Sequence, residues 1–166
     1  MTDISGVMPP LAFVMTRAND GARVSAESYR DKTVLLYFGY THCPDECPTT
    51  LANLAAALKR LGSDATDVRV LFVSVDPARD TIPVLKKYVN AFAPQIDGLR
   101  GSDNAVATLA RRYRVIYSVT SGTQKHDYEV MHSDSLFMFD KTGRARFVTM
   151  STQDTAALAA QIRSLS

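Results

Sequence analysis

Two stretches of the chain are apolar almost without interruption. TVLLYFGY, Thr33 to Tyr40, and VRVLFVSV, Val68 to Val75, are rich in aromatic and β-branched residues, the composition expected of strands buried on both faces. Between them the period changes. PTTLANLAAALKRLG places Leu51, Leu54, Ala55 and Leu58 at helical spacing, with Pro48 suited to a first turn and Gly62 to a stop. Strand, helix and strand in that order form a βαβ unit, which predicts a parallel pair joined by a right-handed crossover.

Downstream, TIPVLKKYVNAF and DNAVATLARRYR predict two more helices, with Thr81 and Asp103 as N-caps. Strand patterns resume at VIYSVT, SLFMFD and ARFVTM. The last two flank KTG, Lys141 to Gly143, and predict an antiparallel hairpin, after which TQDTAALAAQIRSL closes as an amphipathic helix. Near the start, LAFVM and ARVS flank NDG and predict an N-terminal hairpin. No repeat, low-complexity tract or interdomain linker is visible, so residues 1–166 are expected to form a single domain, residues 1–10 being a flexible N-terminal segment. The long piece without a clear period, SGTQKHDYEVMHSD, Ser121 to Asp134, precedes the C-terminal hairpin and carries two of the three histidines. Long loops in compact domains are often functional.

Composition narrows the function classes. A 46% hydrophobic and 22% charged fraction is that of an ordinary globular protein. A net charge of +2 offers no general attraction for nucleic acid, and the one dense basic cluster, RRYR at Arg111 to Arg114, reads as the cationic last turn of a helix. No apolar run approaches the roughly 20 residues of a membrane span, and MTDISGVMPP lacks the basic and apolar regions of a signal peptide.

The chemistry concentrates in YFGYTHCPDECPTTLANL, residues 37–54, which holds both cysteines of the chain. A disulfide closing so short a loop removes little freedom from the unfolded chain, and a chain of this length buries a core without cross-links. Cys43 and Cys47 therefore read as a redox pair, a metal pair or both. Cys43 falls in the turn after the first buried strand and Cys47 at the helix start, where unpaired N–H groups and the helix dipole are expected to favour thiolate in both. A mixed central sheet flanked by helices, with a dithiol at a strand-to-helix junction, predicts a thioredoxin-like α/β fold.

Two thiolates are soft donors suited to copper(I), and one imidazole would complete a three-coordinate site that also accepts copper(II). Three histidines are available. His42 adjoins Cys43, but neighbouring side chains in an extended turn diverge. His126 sits in a polar stretch where solvation competes with ligation. His132 stands just before the apolar strand SLFMF, a place where a lone histidine is more often structural than a ligand. Asp45 and Glu46 lie between the thiols, where their charge opposes thiolate formation and favours a bound cation. Asp76, after the second buried strand, reads either as a turn carboxylate ahead of Pro77 or as an outer partner of the dithiol site.

LLYFGYTHCPDECPTTL, VLFVSVDPARDT, YVNAFAP, GLRGS and MHSDSLFMFDKTG, in this order and spacing, resemble the SCO/SenC copper proteins from about Leu11 to the final helix. The resemblance implies a thioredoxin-like fold and copper held by Cys43, Cys47 and His132. It also implies a metallochaperone role in assembling the dinuclear copper (Cu-A) centre of cytochrome c oxidase. The partners would be the copper-bearing oxidase subunit and a second copper chaperone, in an oxidising, membrane-associated setting, the bacterial periplasm ahead of the mitochondrial intermembrane space. One departure stands out. The family usually reads V-D-H where this chain has VMH, so Met131 replaces an acidic residue beside the histidine. Met131 cannot orient an imidazole or balance copper(II) charge; its thioether could meet copper(I), but a methionine in such a strand-like segment is more often a core residue.

The same dithiol admits other readings. A thiol-disulfide oxidoreductase, reducing the Cu-A cysteines or sensing redox state, would use the pair without metal, although the spacing is C-x-x-x-C and not C-x-x-C. A thiol peroxidase would need a threonine three residues before the reactive cysteine, where this chain has Tyr40 and Pro44. Zinc would need a fourth ligand beyond Cys, Cys and His.

Overall fold

The computed structural model describes residues 1–43, 46–120, 129–131 and 134–166. In chain order its strands are β1 (Thr2–Asp3), β2 (Val14–Arg17), β3 (Arg23–Ser25), β4 (Thr33–Gly39), β5 (Val68–Ser74), β6 (Ile96–Arg100), β7 (Ser118–Thr120), β8 (Glu129–Met131), β9 (Leu136–Phe139) and β10 (Ala145–Thr149). The helices are α1 (Glu46–Leu61), α2 (Ile82–Asn90), α3 (Asp103–Arg112) and α4 (Thr155–Arg163). Eight strands form one sheet in the order β1-β10-β9-β4-β5-β6-β2-β3, and β7 pairs with β8 separately. This is the mixed α/β, thioredoxin-like architecture expected from the sequence.

The apolar run Thr33–Gly39 becomes the central strand because every residue of it is buried, which requires cover on both faces of the sheet. β4 pairs in parallel with β5 through the predicted α1 crossover and antiparallel with β9 on its other side. The N-terminal hairpin β2–β3 and the C-terminal hairpin β9–β10 both form. α1 packs on α4, and α2 on β6.

Several expectations need correcting. The first ten residues are tied down: Thr2 and Asp3 pair with Val148 and Phe147, Ile4 is buried, and the Pro10 carbonyl accepts from Arg112 and Tyr113. Ser102, not Asp103, caps α3, its Oγ accepting from the Ala105 N–H at 3.0 Å. The long piece before the C-terminal hairpin contains β8. β6, unmarked by any apolar run, is an interior strand between β5 and β2.

Candidate functional site

The site is built where β4 gives way to α1. After Gly39 the chain turns, the Cys43 N–H donating to the Tyr40 carbonyl at 3.3 Å, and α1 begins at Glu46. The Cys47 N–H donates to Cys43 Sγ at 3.4 Å. Cys43 sulfur thus accepts one of the N–H groups that the first turn of a helix leaves unsatisfied, as a capping oxygen would. Both cysteines are reduced, and they are 7% and 0% exposed. Gly39 makes room for this arrangement, because a Cβ there would stand 2.8 Å from Cys47 Sγ and 2.5 Å from Phe72 Cε2.

Burial reverses the expected electrostatics of Cys47. It pushes the thiol far above its ordinary range; a backbone hydrogen bond from Tyr40 opposes the rise, Cys43 adds to it, and Tyr37 opposes it again. The Tyr37 hydroxyl donates to Cys47 Sγ at 3.8 Å. A helix N-terminus lowers a thiol pKa when the thiolate keeps some solvation, and Cys47 has none. Tyr37, Tyr40 and Tyr88 surround the pair with phenols whose pKa values are themselves raised, first by burial and next by the sulfurs.

Two carboxylates hold the turn in place. Asp80, 0% exposed, accepts from the Thr41 N–H at 3.1 Å, the Thr41 hydroxyl at 2.5 Å and the Ser74 hydroxyl at 2.7 Å. It therefore joins the residues before Cys43 to the end of β5. Arg100 fixes the same loop by donating to the Pro77 and Asp80 carbonyls. Asp76, 2% exposed, pairs with Arg79 at 2.6 Å, and its charge contributes to the Tyr40 shift, so it lies within electrostatic reach of that phenol. His42, Asp76 and Asp80 bring ligand atoms within 4.8 Å of one another. His42 is exposed, however, and both carboxylates are engaged by protein donors.

His126, His132 and Asp45 lie outside the described residues, as do the side chains of Glu46 and Met131. The structure brings Cys43 and Cys47 together and sets Asp76 within electrostatic reach of Tyr40. Sequence reasoning missed Asp80, although VDPARDT offers a second acid in the same turn. It also missed two orphaned groups. Among the described residues, the buried side-chain oxygens without a hydrogen-bond partner are Tyr88 Oη and Asp134 Oδ1. Tyr88 packs on Phe72, the ring that meets Gly39, so its hydroxyl belongs to the same neighbourhood.

The family model described as SCO1/SenC matches residues 11–166. The mitochondrial SCO1 homolog 1 of Arabidopsis thaliana is 42% identical over 121 residues, which is 72% of this chain and 36% of that protein. The chain thus spans little more than a third of that relative's length. Bradyrhizobium japonicum ScoI, solved with copper bound, has a TM-score of 0.86 at 32% identity, covering 95% of this chain and 99% of that one. The apo Sco1 of Thermus thermophilus also has a TM-score of 0.86, at 33% identity, over 99% of this chain and 96% of that one.

Proposed function

We propose that this chain, which belongs to the SCO1/SenC family, carries copper on Cys43, Cys47 and His132 for assembly of the dinuclear copper centre of cytochrome c oxidase. The observation that supports this most is the reduced, buried dithiol at the start of α1, in a chain similar to a ScoI solved with copper. Two thiolates suit copper(I), and the imidazole extends the site to copper(II). The copper-bearing oxidase subunit would receive the metal and another chaperone would supply it, in the periplasm. Asp76, beside Arg79, acts as an outer carboxylate of the site. Met131 brings no charge to it.

Thiol-disulfide exchange is the second reading of the same pair. The raised Cys47 pKa argues for metal first: a buried thiol that stays protonated at neutral pH is a slow nucleophile, whereas copper displaces the proton outright. Copper(I) binding at pH 7 is therefore expected to release at least one proton per chain. Because the folded-state pKa of Cys47 is raised, proton competition weakens as pH rises, and apparent affinity increases by about tenfold per pH unit for each proton released. Titration in weakly buffered solution with a pH-stat measures this. Binding without proton release would show that both thiolates are already formed.

The function itself is tested by titrating the reduced, metal-free protein separately with copper(I) and copper(II). One copper per chain is expected, abolished by Cys43→Ser or Cys47→Ser. His132→Ala should lose copper(II) and its thiolate charge-transfer absorption while keeping copper(I), which two thiolates hold in a near-linear arrangement. Copper binding that survives both cysteine substitutions would overturn the assignment.

A further inference from the structure

Asp134 stands where β9 runs up to the site. In the antiparallel β4–β9 ladder Leu136 pairs with Tyr37. Carried two residues further, that register sets Asp134 level with Gly39, the residue that abuts Cys47 Sγ. Residues two apart in a strand share a face, and so do directly opposed residues of neighbouring strands. Asp134 therefore falls on the face carrying Tyr37 and Phe72. On that face the Tyr37 hydroxyl donates to Cys47 Sγ at 3.8 Å.

The Oδ1 atom of Asp134 is buried without a partner. A buried carboxylate oxygen with no donor is costly to a folded protein and calls for an explanation such as a bound ion. The ligand set supplies one. Two thiolates and an imidazole make a neutral site around copper(II) and a singly negative one around copper(I). A further negative charge therefore suits the divalent ion and burdens the monovalent one.

We propose that Asp134 is a positioning carboxylate that faces the metal held by Cys43 and Cys47 and makes the site prefer copper(II) over copper(I). The inference rests on the copper-carrier reading above. It assigns a role to an oxygen that no other contact uses, and it predicts that the metal-free protein tolerates loss of the charge while the copper(II) form does not.

The test compares wild type, Asp134→Asn and Asp134→Glu in copper(I) and copper(II) titrations, with the reduction potential of the bound copper and the melting of the metal-free protein. Asp134→Asn is expected to weaken copper(II) binding by about ten- to a hundredfold and to change copper(I) affinity by no more than about threefold, the usual scale for an outer partner of a metal site. The potential should rise accordingly, Asp134→Glu should recover part of the difference, and metal-free Asp134→Asn should melt no lower than wild type. Equal changes for both oxidation states, no change in either, or a lower melting temperature in both metal-free variants would overturn the inference. Loss of copper in Cys43→Ser and Cys47→Ser alongside an unchanged Asp134→Asn would remove this role alone. Copper retained in the cysteine variants would remove the dithiol site and the role with it.

Discussion

Replacing Gly39 by alanine is expected to destabilise the reduced, metal-free protein by about 3 kcal/mol, the upper part of the usual range for overpacking a core. The new methyl group would lie 2.5 Å from Phe72 Cε2 and 2.8 Å from Cys47 Sγ. Neither neighbour can yield easily. Phe72 is fully buried and packs on both Tyr37 and Tyr88, and Cys47 is fixed in the first turn of α1. The strain should be relieved partly by pushing α1 away from β4, which opens Cys47 to solvent. Denaturant unfolding would measure the loss of stability, and the alkylation rate of Cys47 would measure the opening. A stability within experimental error of wild type, with Cys47 as slow to react as before, would show that Gly39 is not what admits the thiol.

Asp80→Ala should cost a similar amount, about 3 kcal/mol, because it strands three donors around a fully buried position and hydrogen bonds to a charged acceptor are the stronger kind. The Thr41 N–H, the Thr41 hydroxyl and the Ser74 hydroxyl would all lose their acceptor. Asp80→Asn keeps one acceptor oxygen and should recover part of the loss. The two substitutions should also separate in thiol chemistry, since the Thr41 turn leads directly into Cys43. Faster alkylation of Cys43 in Asp80→Ala than in Asp80→Asn is expected. If both variants unfold at the wild-type denaturant concentration, the carboxylate is not what anchors the turn.

How much of this was legible depended on whether the decisive partner was near in sequence. β4, β5 and α1 follow from runs and spacings within a few residues, and so does the dithiol between them. β6 does not, because Asp97 and Gly98 break its apolar pattern. Asp97 is tolerated inside because the Tyr29 hydroxyl donates to it at 2.7 Å. Gly98 is there because a Cβ would stand 2.7 Å from Leu85 Cγ. Both partners are distant along the chain and invisible to a pattern. The Cys47 pKa was misread for a related reason. Its position at a helix start is a local fact, but its complete burial depends on Gly39, Phe72 and Tyr37 as well. Asp134 carried no signal until the β4–β9 register placed it.

That register also bears on when the site comes into being. The dithiol is in the first third of the chain, whereas Leu136 and Asp134 belong to its last third, and β4 joins them only by pairing with β9. Such non-local pairing is slow, because the loop it closes must be ordered before the contact rewards it. During synthesis the turn after β4 and the start of α1 would present two cysteines well before the strand that completes their surroundings has emerged. A chain halted before β9 would therefore bind copper(I) as any exposed thiol pair does, without the discrimination between oxidation states proposed for the finished protein. Selectivity for the metal's charge would then report that the C-terminal hairpin has docked.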